Sequence, residues 1–430
     1  MTRSPPKPGR LSQAIRRLFP IYGHYRRLCV KVDRMSEAER AAYQAGEIEQ
    51  IERLAKSAGI ATGSILTNRQ VQKNPEAYLR KTLWPTVRAT TGGTTGTPLI
   101  LERSLNSVIY QQAMLDHTLA LHGVELARSR MAVIRGDSVK HPDDLEPPYS
   151  VAAGPFQRIF SGFHLSDKTA RAYLSEIAEF RPAVMYFYPS TLQILLRLVE
   201  EAGVALRPKI VMTSSMVLPQ QLFAGVAAAF GCPLLDWYGQ GERICVAWAS
   251  EAGQYRFRPD HGQVILTNPG SRGLICGTAF HNRRQILVNY STGDLLLGGD
   301  DMTDENLRAV ALGVKPFAGL QGRQNDIMML PDGRQFAAFN QIGRYVEGAD
   351  YLQILRTGLA EIEVVVVKNR RYTEATLAQI KENLHSRLPT TLKISYRFSE
   401  VPVRTATGKT PNYIDMFSSA NRLHSADNRG

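Results

Sequence analysis

Three glycines set among hydroxyls mark the first stretch able to do chemistry. In Thr90-Thr91-Gly92-Gly93-Thr94-Thr95-Gly96-Thr97-Pro98 the glycines let the backbone turn its N–H groups toward an anion, and the threonine hydroxyls add donors. Such a loop can cradle phosphate oxygens. It is not a Walker A loop, which ends in Gly-Lys-Ser/Thr, and a flexible Thr/Gly hairpin is the plainer alternative. A second stretch, Asp236-Trp237-Tyr238-Gly239-Gln240-Gly241-Glu242-Arg243, brings an aromatic, two glycines and a carboxylate to the end of an expected strand, where α/β folds place ligands. Tyr238 can stack on a base, and Glu242 can hold Mg²⁺ against a triphosphate. Further on, Asn289-Tyr290-Ser291-Thr292-Gly293-Asp294 carries a turn carboxylate suited to ribose hydroxyls. Gly322-Arg323-Gln324-Asn325-Asp326 and Ala406-Thr407-Gly408-Lys409 follow. These last three are short enough to arise by chance, so their value lies in their order.

The elements that must position these residues alternate from 131 to 236. Strands are expected at Met131–Arg135, Ala183–Phe187, Lys209–Thr213 and Leu234–Asp236, with helices at Lys168–Phe180, Ser190–Ala202 and Gln220–Phe230 between them. That spacing implies βαβ units and a largely parallel sheet. Upstream, residues 36–58 read as a helix capped by Ser36 and closed by Gly59. Residues 252–300 are short, glycine-punctuated segments suited to an antiparallel or barrel-like subdomain. After Gly322 come a turn at Pro331-Asp332-Gly333, a strand Glu361–Val367, a helix near Glu374–Arg387 and a strand Leu392–Phe398. This is enough for a separate small α+β domain.

Composition bounds the rest. With 430 residues, 43% hydrophobic and 21% charged, the chain is an ordinary globular protein of two or three domains. The formal charge of +13 is uneven: the first 34 residues hold nine Lys and Arg against one acid, Asp33. A basic leader can meet nucleic acid or anionic membrane, but a solvated helix face or arm is the plainer reading. Cys29, Cys232, Cys245 and Cys276 form no CxxC pair and read as reduced thiols. His117, His122, His141 and His164 are scattered, which fits local hydrogen bonding better than a metal site. No apolar run approaches a membrane span, and the leader lacks the apolar middle of a secretion signal, so a soluble cytoplasmic protein is expected.

Taken in order, the Thr/Gly loop, Tyr-Gly-x-x-Glu, Tyr-x-Thr-Gly-Asp, Gly-Arg-x-x-Asp and a late Gly-Lys resemble the adenylate-forming (ANL) superfamily. The likeness is nearest its phenylacetate–CoA ligase-like branch with the CapK-type proteins, and it spans roughly residues 36–415. The resemblance implies an α/β fold: a large ATP- and acid-binding domain over 1–322, with βαβ layers and a barrel-like subdomain, and a small α+β lid over 323–430. By it, Thr91, Gly93, Thr94, Thr95 and Gly96 close on the β- and γ-phosphates. Tyr238, with Gly239 beside it, packs on adenine, Glu242 binds Mg²⁺ and Asp294 binds ribose with Arg323 near the sugar. Asn325 falls at the hinge, and Lys409 is the lysine that the lid brings to the α-phosphate. Arg135, at the end of an expected strand, is a candidate for the acid pocket, although a structural salt bridge serves as well. Phe187, Tyr188, Ser214 and Ser215 are further candidates, with burial in the core the default for the aromatics.

The chain departs from the pattern in places. Gly92 stands where Ser is usual, Thr97 where many acyl–CoA ligases carry Lys, and Gly241 where a hydroxyl residue precedes the glutamate. Ser214-Ser215-Met216 replaces a common Gly and Glu, and Asn325 is unusual at the hinge. Ser250 occupies the neighbourhood of a zinc-binding Cys in some relatives, so no zinc is expected. The implied reaction is ATP- and Mg²⁺-dependent formation of an acyl-adenylate with pyrophosphate release. Acyl transfer then follows to a thiol, either coenzyme A or a carrier protein. Transfer to a small amine or alcohol stays open, as does a catalytically degenerate nucleotide-binding scaffold. Nucleic acid is not an expected partner, and homodimerisation is left open.

Overall fold

A computed structural model describes residues 10–90, 99–135, 139–140, 144–162, 164–267, 273–297, 303–323, 328–329, 335–336, 346–385, 388, 392–404 and 410–417. The chain divides into two compact units, Met1–Leu320 and Gln321–Gly430.

The first unit is organised by an eight-stranded sheet. Its centre runs Leu234–Gly239, Ile210–Ser214, Val184–Phe187, Met131–Ile134 and Gln157–Phe160, all parallel. Val246–Ala249 and Arg256–Phe257 extend one edge antiparallel, and Ser150–Ala152 closes the other. Ile210–Ser214, Val184–Phe187 and Met131–Ile134 are buried on both faces, so they read as largely apolar runs rather than alternating ones. Successive side chains nevertheless go to opposite layers. Ala132 and Ile134 join a core with helices Ala170–Phe180, Pro189–Ala202 and Gln221–Phe230. Met131 and Val133 instead join Leu119, from helix Leu105–Leu121, on the other face. The crossover helices end where expected: Gly203 and Gly231 take left-handed φ of 61° and 65°, which glycine adopts without strain.

Residues 262–296 form antiparallel strands Gly262–Thr267, Leu274–Ala279 and Tyr290–Leu296. A hairpin of Thr86–Thr90 with Ile100–Ser104 flanks the Thr/Gly loop. Helix Glu37–Ser57 starts with Ser36 in a reciprocal capping box with Glu39. In the second unit, strands Lys393–Ser399, Glu361–Lys368, Ala349–Arg356 and Tyr413–Asp415 form one sheet, with Ile354, Val364 and Val366 packed against Ile380 and Leu384 of helix Glu374–His385. Among the described residues no helix is long and apolar enough to cross a membrane.

The basic leader is not a solvated arm. Helix Pro20–Asp33 buries Tyr25, Cys29 and Val32, and Tyr25 and Cys29 share a core with Tyr110, Ala113 and Met114 of helix Leu105–Leu121. Arg17 grips Asp116 with two bonds of 2.6 Å, and Tyr22 donates to the same carboxylate at 2.8 Å. Asp33 contacts His117 Nε2 at 2.5 Å and pairs with the buried Arg258, which also pairs with Asp260. Arg17 is thus spent on a carboxylate far along the chain, which a charge count does not reveal, while Arg27 and Lys31 stay exposed on the solvated face of their helix.

Candidate active site

Strand Leu234–Gly239 and its antiparallel partner Val246–Ala249 are joined by the turn 240–245, and this hairpin carries Tyr238 and Glu242. The turn is fastened from within: Arg243 N–H donates to the Gln240 carbonyl at 3.1 Å, and Cys245 N–H to Gln240 Oε1 at 3.3 Å. Arg243 sits at φ 59°, a conformation costly for a residue with a Cβ. Its guanidinium is anchored on Ser107, to the carbonyl at 2.7 Å and to Oγ at 3.0 Å. Arg103 Nη2 donates to the Gly241 carbonyl at 2.5 Å, holding the peptide before Glu242.

Two hydrogen bonds tie this hairpin to strand Tyr290–Leu296. The buried Tyr238 hydroxyl donates to Asp294 Oδ2 at 2.8 Å. Tyr290 donates to Glu242 Oε1, also at 2.8 Å, and itself accepts from Asn68 Nδ2 at 3.2 Å. Tyr290 and Asp294 are four residues apart on one strand, so one rigid element aligns both carboxylate-bearing positions. Asp294 N–H donates to Thr292 Oγ1 at 3.1 Å, which fixes its turn. Burial, and then the Asp294 charge, push the Tyr238 hydroxyl well above the ordinary tyrosine range, so it stays a donor. Cys245 is likewise pushed up by burial, to about 12, and is an inert thiol.

Glu242 fits a hard cation. One carboxylate oxygen is oriented by Tyr290, and the other accepts no hydrogen bond among the described residues. Among those residues no cluster of three or more His, Cys, Asp or Glu forms a ready-made metal site.

A second constellation lies at the same ends of the neighbouring parallel strands. The Arg135 guanidinium is 4.8 Å from the Tyr186 ring centroid and 4.3 Å from that of Tyr188, and donates to Ser215 Oγ at 2.9 Å. Tyr186 and Ser214 hydroxyls are 2.6 Å apart, and Ser214 and Ser215 hydroxyls 3.1 Å. Arg135, Tyr188, Ser214 and Ser215 are therefore brought together. Phe187 is not: it is fully buried in the core with the crossover helices, because its side chain alternates away from those of Tyr186 and Tyr188.

Tyr186 takes the place expected of Phe187, and strand alternation was the signal that would have found it. Tyr290, Asn68 and Arg103 were also not singled out. Tyr290 belonged to the recognised stretch, whereas nothing local marks Asn68 or Arg103. Thr91, Gly93, Thr94, Thr95, Gly96, Asn325 and Lys409 lie outside the described residues. Arg323 ends strand Leu320–Arg323. His164 makes a local contact, its Nδ1 lying 2.7 Å from Ser161 Oγ, whereas His117 meets Asp33, 84 residues earlier.

No protein-family profile matches the chain. Protein CapK of Staphylococcus aureus is 19% identical over 232 residues, which is 53% of this chain and 52% of CapK, so the match spans about half the length of that curated relative. Solved structures of 2-hydroxyisobutyryl-CoA ligase in the post-adenylation state align at 13% identity over 95% of this chain and 92% of theirs. The TM-scores are 0.54 for the complex with R3-HIB-AMP and 0.55 for that with 2-HIB-AMP. The fold is therefore that of an adenylate-forming CoA ligase.

Proposed function

We propose that the chain activates a carboxylic acid as an acyl-adenylate and passes the acyl group to a thiol. A carboxylate oxygen attacks the α-phosphorus of ATP, the α–β bridging bond breaks and pyrophosphate leaves. The observation that carries this reading is the Tyr238–Asp294 hydrogen bond beside the Tyr290-held Glu242, which gathers an aromatic ring, a sugar-type carboxylate and a metal-type carboxylate at one end of the parallel sheet. A carboxylate approaching a polyanion is opposed by charge, so catalysis here is alignment and neutralisation. Mg²⁺, held by Glu242, would supply neutralisation at the phosphate oxygens. Tyr238 and Asp294 orient the nucleoside, and the Thr/Gly loop holds the departing phosphates. Arg135, Tyr188, Ser214 and Ser215 line the acid pocket.

We assign residues 1–322 as the nucleotide- and acid-binding domain and 323–430 as the lid, with Asn325 at the hinge and Arg323 near the ribose. Lys409 adds a positive charge in the adenylation transition state. Coenzyme A is the leading acceptor, a carrier-protein thiol the next, and the reaction belongs in the cytoplasm. The test is pyrophosphate release with ATP, Mg²⁺ and panels of aryl, hydroxy, fatty and amino acids, followed by trapping with coenzyme A or hydroxylamine. An acid-dependent release is expected. No release with any acid, from a protein that is folded, would overturn the reading. Trapping by amines but not by coenzyme A would redirect the second step to amide synthesis.

A further inference from the structure

Leader helix Pro20–Asp33 has two opposite faces. Tyr25, Cys29 and Val32 turn inward to the core. At about 3.6 residues per turn, Arg27, Val30, Lys31 and the capping Arg34 fall on the far side. With Arg26, Met35 and Glu39 they line a surface cleft of about 600 Å³. Four cations thus surround one acid, and Glu39 is already engaged in the capping box with Ser36. Arg26 reaches the Ala113 carbonyl at 3.5 Å, whereas Arg27, Lys31 and Arg34 meet no carboxylate at ion-pair distance among the described residues.

Folding gains little from this stripe. Like charges four residues apart, as in Arg27 and Lys31, oppose each other on a helix. The dipole at the helix end favours Lys31 and Arg34, but Arg26 and Arg27 lie before the last turn. Apolar side chains are exposed beside the cations. Val30, between them in the cleft, is 41% exposed. On the preceding helix, Arg10–Leu18, Ile15 and Leu18 share a face three residues apart, and Leu18 is 80% exposed. These groups are aliphatic, whereas single-stranded nucleic acid is held by aromatic rings set among cations. A lipid surface matches both kinds of group, with anionic headgroups for the cations and the acyl boundary for the aliphatic side chains.

We infer that the outer face of this helix, through Arg26, Arg27, Val30, Lys31 and Arg34, docks the protein peripherally on an anionic membrane surface. The inner face keeps the leader packed on the first unit, so the same helix is anchored on one side and presents charge on the other. None of these residues belongs to the candidate active site, so docking and adenylation stand or fall separately.

The experiment is co-sedimentation of the full chain with vesicles of pure phosphatidylcholine and of equal parts phosphatidylcholine and phosphatidylglycerol, repeated across salt concentrations. Wild type should sediment with the mixed vesicles alone and be released by salt. Each basic residue near such a surface contributes about fivefold in partitioning, so a variant combining Arg27→Gln, Lys31→Gln and Arg34→Gln should lose about a hundredfold. Replacing Arg27 and Arg34 by Lys should retain binding, and Val30→Ser should weaken it about threefold or more. Thermal melting checks each variant; if the triple variant does not fold, the roughly fivefold loss expected of Arg27→Gln alone decides. Failure of wild type to sediment with the mixed vesicles overturns the inference, as does undiminished sedimentation of a folded Gln variant. Vesicle binding unaffected by Val30→Ser, with duplex DNA or polyglutamate bound as tightly as vesicles, would mark a general polyanion site and likewise overturns it.

Discussion

Deleting residues 1–34 removes three buried side chains, Tyr25, Cys29 and Val32, from the first unit. At about 2 kcal/mol for each large apolar side chain, the loss approaches about 5 kcal/mol, comparable with the whole stability of many domains. Ion pairing adds to it: Asp116 loses Arg17 and Tyr22, and Arg258 loses Asp33. The cleaner perturbation is Asp33→Ala. Arg258 is 4% exposed and keeps Asp260, while Asp33 is 33% exposed, so water screens part of the broken pair. Stranding one member of a fully buried pair costs about 3–5 kcal/mol, and the exposure of Asp33 reduces this to about 2 kcal/mol. Urea denaturation followed by tryptophan fluorescence measures it, since Trp248 sits beside the Arg258 guanidinium. A loss under about 0.5 kcal/mol, or a truncated protein melting at the wild-type temperature, would refute the integrated leader.

Tyr290→Phe keeps the ring but removes the donor that orients Glu242, and should raise the Mg²⁺ concentration for half-maximal pyrophosphate release about tenfold, with Glu242→Gln more severe; an unchanged Mg²⁺ titration in both removes Glu242 from the metal site. Lys409→Ala should lower adenylation by ~10²–10³ while ATP affinity changes only a few-fold; equal loss in the second half-reaction, started from supplied acyl-adenylate, would mean a structural role. His281, held neutral mainly by burial, has its pKa lowered from 6.5 to about 4, so the unfolded chain takes up the proton first as pH falls. The stability this provides is complete above pH 6.5 and lost toward pH 4, reaching a loss of about 2 kcal/mol by pH 5. Denaturation midpoints across that window should show the slope in wild type and not in His281→Gln.

Most of the parallel sheet was readable because its strands are short, largely apolar runs between helices, as in Ile210–Ser214, where every residue is buried; Gln157–Phe160, which opens on Gln and Arg and is only partly buried, was not. Helix Leu105–Leu121 escaped for the complementary reason. It is packed nearly all round, with Gln112, Asp116 and His117 buried among its apolar residues, so no solvent-facing stripe gives it a period. Tyr238, Glu242 and Asp294 were legible as motif residues because short-range pattern carries them. The groups that hold them were not. Tyr290 reaches Glu242 across 48 residues of sequence, and Arg103 reaches Gly241 across 138. The leader failed the same way, since Asp116, the partner of Arg17, and Arg258, the partner of Asp33, are distant in sequence.

The Asp33–Arg258 pair joins positions 225 residues apart. During synthesis at ~5–20 residues per second, the ribosome needs about 11–45 s to add that intervening chain. For all of that time the basic leader helices have emerged without Arg258 and Asp260, and the apolar face around Tyr25 and Cys29 is uncovered. The nascent chain therefore presents this cationic, amphipathic segment before Arg258 and Asp260, which complete its pairing. That order makes the interval before residue 260 the period when the first unit is most open to chaperone capture and to aggregation.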